Sequence, residues 1–132
     1  MGAADFLLGV CESWMTPALF LSVAFIAGAV ISFFTGSSWG TFAICIPIAV
    51  PMAYSFTGGQ LGTLVYAAVG AVVSGGLFGD HCSPVSDTTV LSSLGAACDH
   101  IDHVRTQLPY ALLAAAVSII LWIVVAMVGG AA

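Results

Sequence analysis

The sequence predicts an all-α polytopic membrane protein that forms a single membrane domain over residues 1–132. The chain is 61% hydrophobic and only 5% charged, whereas an ordinary soluble domain carries roughly 25% charged residues. Its single basic residue contributes almost nothing to a water-facing surface, so lipid is the expected solvent. The apolar residues also fall into blocks of helical length, which short polar segments separate.

The first predicted unit is a re-entrant helical hairpin over residues 17–56. Crossing about 30 Å of hydrocarbon takes a helix of roughly 20 residues; block 17–34 nearly reaches that length, and block 42–56 is too short. Between them, "TGSSWGT" (35–41) combines glycines with hydroxyls that can satisfy freed backbone groups. Because non-helical backbone at membrane depth survives only inside protein or beside water, we expect the chain to turn back within the membrane.

The second predicted unit is a broken helix over residues 61–98. Block 61–79 is long enough to span, whereas block 88–98 is too short, and "GDHCSPVSD" (79–87) interrupts them. This interruption places a proline, glycine, hydroxyls and two carboxylates between apolar segments. Such a composition is typical of a transmembrane helix that is unwound at a ligand site.

The third predicted unit is a final transmembrane helix over residues 109–128. The preceding segment 99–107 is polar and holds Arg105, which places it on the cytoplasmic side under the positive-inside tendency. His100 and His103 in this segment have the i, i+3 spacing of some zinc ligands. Since no closed set of four ligands accompanies them, a solvated polar loop is the preferred interpretation.

Charge and cysteine content exclude several classes of partner and scaffold. With a formal charge of −5, the chain has nothing to neutralise phosphates, so we expect no nucleic-acid partner. The four cysteines are scattered without a CxxC pair, which argues against a disulfide framework. The expected partner is the lipid bilayer.

Asp80 and Asp87 are the candidate ion-binding residues. An ionised aspartate at the bilayer centre costs about 2.5 to 3.5 kcal/mol on insertion scales, so its presence there indicates a function. Removal from water favours a protonated carboxyl group, whereas carboxylate, hydroxyl and freed carbonyl oxygens suit a hard cation such as Na⁺. A site that holds either a proton or a metal cation is the chemical basis of antiport.

Neighbouring side chains could complete this site. Five further residues are candidate ion or proton ligands: Ser83, Thr88, Ser38, Thr41 and His81. Each has a structural alternative, because serines and threonines in membrane helices commonly bond neighbouring helices and His81 could make a structural hydrogen bond. Asp87 could simply cap the helix that begins with "TTVLSS".

Two motifs resemble the C-terminal half of the NhaC-type sodium/proton antiporters, within the wider ion-transporter superfamily. They are "SSWGTFAICIPIAVPMA" (37–53) and "FGDHCSPVSDTTVLSS" (78–93), and the likeness runs from about residue 13 to the last span. The resemblance implies a multi-pass protein of a prokaryotic plasma membrane that exchanges external protons for internal sodium, without any cofactor beyond the transported ions. It places the ion site in the second motif, on Asp80, His81, Ser83 and Asp87, with Ser38 and Thr41 as weaker candidates.

The resemblance also implies that something completes the transporter. In the superfamily, each of two inverted repeats supplies a hairpin and a broken helix, whereas this chain has one of each. It is therefore expected to be a fragment, or to need a second repeat or partner subunit, including another copy of itself.

Three other functions remain open. A proton- or sodium-coupled carrier of malate, lactate or amino acids would be favoured by a cationic recognition residue, but Arg105 lies outside both interruptions. An intramembrane aspartyl protease needs a GxGD setting, and Leu77 stands where its first glycine belongs, so a transporter rather than an enzyme is expected. A fragment that does not transport is the third alternative.

Overall fold

A computed structural model describes residues 15–129, and this part of the chain is helical, with no strand. Five helices follow one another: α1 (Pro17–Thr35), α2 (Ser38–Phe56), α3 (Thr63–Cys82), α4 (Asp87–Gly95) and α5 (His100–Gly129). Four of them, α1, α2, α3 and α5, are long and apolar enough to cross a membrane. The predicted all-α polytopic membrane class is confirmed.

The bounds of α1 follow from its end residues. Thr16 caps the first turn, where its hydroxyl accepts a hydrogen bond from the Leu19 N–H at 3.4 Å, and Pro17 supplies a helical φ angle at the first position. The helix ends at Gly36, which has φ of 67° and donates its N–H to the Ser32 carbonyl. Glycine tolerates this left-handed conformation without steric cost, so the chain reverses there.

The second arm of the hairpin is longer than the sequence predicts. It begins at Ser38 rather than at residue 42, because Ser37 caps it through the Gly40 N–H and the Thr41 hydroxyl bonds the Ser37 carbonyl within the first turn. With 19 residues, α2 is long enough to cross, so the expectation that this arm is too short is wrong. That the hairpin turns back within the membrane stays a prediction.

The broken helix is interrupted over four residues, 83–86, which is less than the predicted interruption of 79–87. Pro84 ends α3 because a residue that precedes proline avoids the helical region, and Ser83 accordingly has φ of −73° and ψ of 129°. The helix nevertheless continues through Asp80 and His81, which lie in its last turn.

The expectation of a solvated polar loop over 99–107 is wrong. This segment forms the first turns of α5, a helix of 30 residues. Asp99 caps its first turn, because the Asp99 Oδ1 accepts hydrogen bonds from the N–H groups of Ile101 at 2.9 Å and Asp102 at 3.2 Å. Pro109, where the predicted last span began, lies inside the helix.

Helix α3 is the centre of the bundle and packs against α1, α2 and α5. Its contact with α1 is very close: a Cβ at Gly75 would overlap the Phe25 carbonyl, and one at Gly79 would overlap the Ala29 carbonyl. Small residues are the usual means of close packing between membrane helices, since little else draws helices together in lipid. This contact fixes the last turn of α3 beside the end of α1.

Candidate functional site

The two interruptions of the helices meet in the folded chain. Gly36, at the tip of the hairpin, lies against the α3–α4 connection, where a Cβ on it would be 2.7 Å from the Val85 carbonyl oxygen. Ser83 in that connection is completely buried and donates its hydroxyl to the Phe33 carbonyl in the last part of α1, at 2.6 Å. The sequence indicated both interruptions, and the packing of α1 on α3 brings them together.

Asp80 lies at this junction and is only 7% exposed. Ser86 donates its hydroxyl to Asp80 Oδ1 at 2.8 Å, and Ser38 donates its hydroxyl to Oδ2 at 3.3 Å. Ser38 is the first residue of α2 and Ser86 is the N-cap of α4, so the positive ends of two helices lie near the carboxylate. Across residues 15–129 no Arg or His side chain forms a salt bridge with Asp80.

A line of hydroxyls connects Asp80 with the surface. The Ser86 and Thr88 oxygens are 2.7 Å apart. Because Ser86 has one hydroxyl hydrogen and gives it to Asp80, Thr88 is the donor in the second bond. Ser86 is fully buried and Thr88 is exposed, so the two hydroxyls lead from the outer face of the described chain to the carboxylate.

The structure separates the two predicted aspartates. Asp87 is exposed, and its Oδ1 accepts a hydrogen bond from the adjacent Thr88 N–H at 2.8 Å. No hydrogen bond links it to Asp80, and residues 15–129 contain no group of three acidic, histidine or cysteine side chains that could hold a metal ion. His81 is exposed too, with its side chain at the edge of a cavity.

Of the hydroxyls predicted as ligands, one bonds the Asp80 carboxylate directly and the others do not. Ser38 reaches the Asp80 carboxylate directly. Thr41 is completely buried, but it donates to the Ser37 carbonyl at 2.9 Å within its own helix, and Ser83 joins the connection to α1. Thr88 reaches Asp80 only through Ser86.

Two further polar residues lie at or near the junction: Ser86, which the sequence places among the hydroxyls around the two aspartates without singling it out, and Ser32, which it does not indicate. Ser86 makes the shortest hydrogen bond to Asp80, and the sequence offers no signal that separates it from the other serines and threonines of the motif. Ser32 is completely buried one turn before Gly36, and its hydroxyl has no hydrogen-bond partner within the described chain. The helix contains two serines, Ser22 and Ser32, in similarly apolar surroundings, and the sequence gives no indication of which one lies at the junction.

A cavity of about 600 Å³ opens beside Asp80, between the end of α3 and α5. Its polar lining includes Asp80, His81, Thr88, Gln107 and Tyr110. The buried carboxylate therefore has a route to the outside of the described chain that passes polar side chains.

The chain resembles known transporters over most of its length. The sequence model of the Na+/H+ antiporter family matches residues 1–127. An uncharacterised protein of Haemophilus influenzae is 53% identical over 110 residues, which are 83% of this chain and 20% of that protein. The malate-2H(+)/Na(+)-lactate antiporter of Bacillus subtilis is 36% identical over 86% of this chain and 23% of its own length. The Na(+)/H(+) antiporter NhaC of Alkalihalophilus pseudofirmus is 32% identical over 94% of this chain and 26% of its own.

These relatives are much longer than this chain, which spans about a fifth to a quarter of their length. No solved structure matches the chain. The family that matches is the one that the two motifs, 37–53 and 78–93, resemble. Because the match covers nearly the whole sequence, the chain belongs to the Na+/H+ antiporter family.

Proposed function

We propose that this chain carries the ion site of a sodium/proton antiporter, at which Asp80 binds Na⁺ and H⁺ in turn. The observation that carries the proposal is the environment of Asp80: a buried carboxylate at the junction of two helix interruptions, hydrogen-bonded by hydroxyls alone. A permanent cationic partner would compete with a transported ion, and none is present in the described residues. The family is one of antiporters, which favours transport over catalysis.

Hydroxyl partners suit an exchange of two cations. A serine hydroxyl can donate to a bare carboxylate, or rotate and present its lone pairs to a bound cation. Ser38 and Ser86 could therefore share Na⁺ with Asp80 and return to it when the ion leaves. When Asp80 takes a proton instead, the cation loses its only charged ligand here, so occupancy by one ion excludes the other. The Ser86–Thr88 pair offers the proton a path from the exposed side.

The rest of the ion's coordination must come from elsewhere, because a hard cation takes several oxygen ligands. Asp87 and Thr88 are exposed beside the site, and an ionised residue at membrane depth faces protein or water rather than lipid. We propose that a second repeat, a partner subunit or another copy of this chain covers this face within a plasma membrane. The greater length of the relatives supports this part of the proposal.

The proposal is tested by measuring ²²Na⁺ binding and sodium-dependent proton flux with the chain reconstituted in liposomes. We expect Asp80→Asn to abolish sodium binding, because the amide has no charge to offer the ion. Asp102→Asn is the matched control, since it removes one negative charge from a largely exposed position on α5. Retention of sodium binding by Asp80→Asn would refute the proposal. Binding without flux in the original chain would show that the covering part is required for transport.

A second candidate function is sodium- or proton-coupled antiport of an organic solute. The observation that favours it is the cavity of about 600 Å³ beside Asp80, which is far larger than one ion needs. A carboxylate solute would need a cationic partner, and Arg105 does not line this cavity; its side chain is 77% exposed and lies 3.9 Å from Asp102. Malate and lactate should therefore leave sodium binding unchanged, and competition by either solute would favour the second candidate.

A further inference from the structure

The polar first turns of α5 hold the interruption of the broken helix. His100 Nε2 lies 2.7 Å from the Pro84 carbonyl oxygen, and its Nδ1 lies 3.2 Å from the Ser93 hydroxyl. Two turns further along, Gln107 donates its Nε2 hydrogen to the His81 carbonyl at 3.0 Å. Carbonyls freed at a helix break need donors, and α5 supplies two of them.

The two contacts of His100 have different chemistry. A carbonyl oxygen only accepts, so the ring nitrogen facing Pro84 carries a hydrogen and donates it. The other nitrogen faces a hydroxyl, which is able to donate or to accept. His100 therefore ties the α3–α4 connection to the last turns of α4 from a third element.

The Pro84 contact bears directly on the site. Pro84 stands two residues before Ser86, whose hydroxyl reaches Asp80 across the same connection at 2.8 Å. Between them, Val85 lies against Gly36 at the hairpin tip. Releasing Pro84 would let the connection move away from the tip and carry Ser86 away from the carboxylate.

We propose that His100 is a positioning residue: its Nε2–H clasps the Pro84 carbonyl and so holds the α3–α4 connection where Ser86 bonds Asp80. The inference rests on the proposed function only for the identity of the ion. Neither His100 nor Pro84 contacts the Asp80 carboxylate, so the imidazole acts through the backbone between them.

Cys82 provides a measure of this clasp that does not depend on ion binding. It is 3% exposed, ends α3 directly before the interruption and faces α1 and α5, so we expect its thiol to react faster when the adjoining connection moves. The parent protein for the test is the full chain with Cys82 as its sole cysteine, the other three being replaced by alanine. Its rate of reaction with N-ethylmaleimide is measured in liposomes by intact mass.

Substitutions of His100 distinguish the contribution of Nε2 from that of Nδ1. His100→Gln keeps a donor close to the position of Nε2, whereas His100→Asn keeps one close to Nδ1. We expect His100→Ala and His100→Asn to react about tenfold faster than the parent, and His100→Gln to react near the parent rate, because only glutamine preserves the bond to Pro84. His103→Ala, which replaces the histidine one turn along, should have no effect.

Three results would overturn the clasp: equal rates for His100→Ala and the parent, equal rescue by Gln and Asn, or an equal effect of His103→Ala. If His100→Ala fails to fold, the comparison of Gln with Asn still decides. Sodium affinity, measured on the same proteins, should weaken in the same order as labelling rises. A folded parent that binds no sodium would mean that the ion needs the covering part of the protein, and the order of labelling rates would still decide the clasp; sodium binding that survives Asp80→Asn would overturn the proposed function alone.

Discussion

Two hydroxyls from different helix ends hydrogen-bond the Asp80 carboxylate within the apolar bundle. Ser38 starts α2 and Ser86 precedes α4, so each hydroxyl is held by the local backbone of a helix N-terminus. The sequence identified Asp80 because a carboxylate among apolar residues stands out. It did not identify Ser86 as its nearest partner, because a serine gives the same signal whether it bonds a carboxylate or its own helix.

Ser86→Ala should weaken sodium binding without unfolding the chain. The substitution removes the 2.8 Å bond to Asp80 and interrupts the connection to Thr88. Because the Ser86 oxygen is proposed to turn from Asp80 to the bound ion, its loss removes an ion ligand, and the apparent dissociation constant for sodium should rise about tenfold in a binding titration. Ser92→Ala is the matched control, because that exposed hydroxyl bonds only the Thr88 carbonyl of its own helix, at 2.8 Å. Equal affinities for the two variants would contradict this role.

The sequence predicts both interruptions of the helices, but it does not predict the residues at which they begin and end. Glycine, proline and clustered hydroxyls indicate where a membrane helix stops, and the structure stops α1 and α3 at such residues. The polar segment 99–107 has no recognisable partner in the sequence, which therefore predicts a loop there. It is helical because Asp99 caps it, and its His100 and Gln107 bond carbonyls of the interruption.

The contact between the hairpin tip and the α3–α4 connection can be tested with two glycines. Gly36 and Gly58 have φ angles of 67° and 65°, so alanine at either position carries the cost of a left-handed backbone, about 1 kcal/mol. Only at Gly36 would the added Cβ also meet the Val85 carbonyl, at 2.7 Å; at Gly58 no atom lies within 4 Å. Gly36→Ala should therefore lose about 1 to 3 kcal/mol more stability than Gly58→Ala in thermal unfolding in detergent. Equal losses would mean that the tip and the connection do not touch.

The lengths of the helices bear on where the Asp80 junction lies in the bilayer. Gly129, the last residue of α5, packs beside Thr63, the first residue of α3, and Pro17 lies near both, so α5 ends where α1 and α3 begin. At 1.5 Å per residue, α5 extends about 45 Å from that end and α1 about 29 Å. Beyond the hairpin tip, α4 still exposes the apolar side chains of Leu91 and Leu94. Because α1 is about as long as the hydrocarbon core is thick, about 30 Å, these lengths are compatible with a tip at the headgroups as well as below them, and the re-entrant hairpin stays a prediction.

Cysteine labelling distinguishes a re-entrant hairpin from one that crosses completely. Cys98 is an exposed native thiol beyond α4, and Thr35→Cys places a second thiol at an exposed position on the hairpin tip. With each as the sole cysteine in liposomes, a membrane-impermeant maleimide should modify Cys98 quickly and the tip thiol far more slowly, because the tip of a re-entrant hairpin lies below the headgroups. A permeant maleimide should modify both thiols and so serves as the control for reactivity. Equal rates with the impermeant reagent would show that α1 and α2 both span, and would place the Asp80 junction at the membrane surface rather than within it.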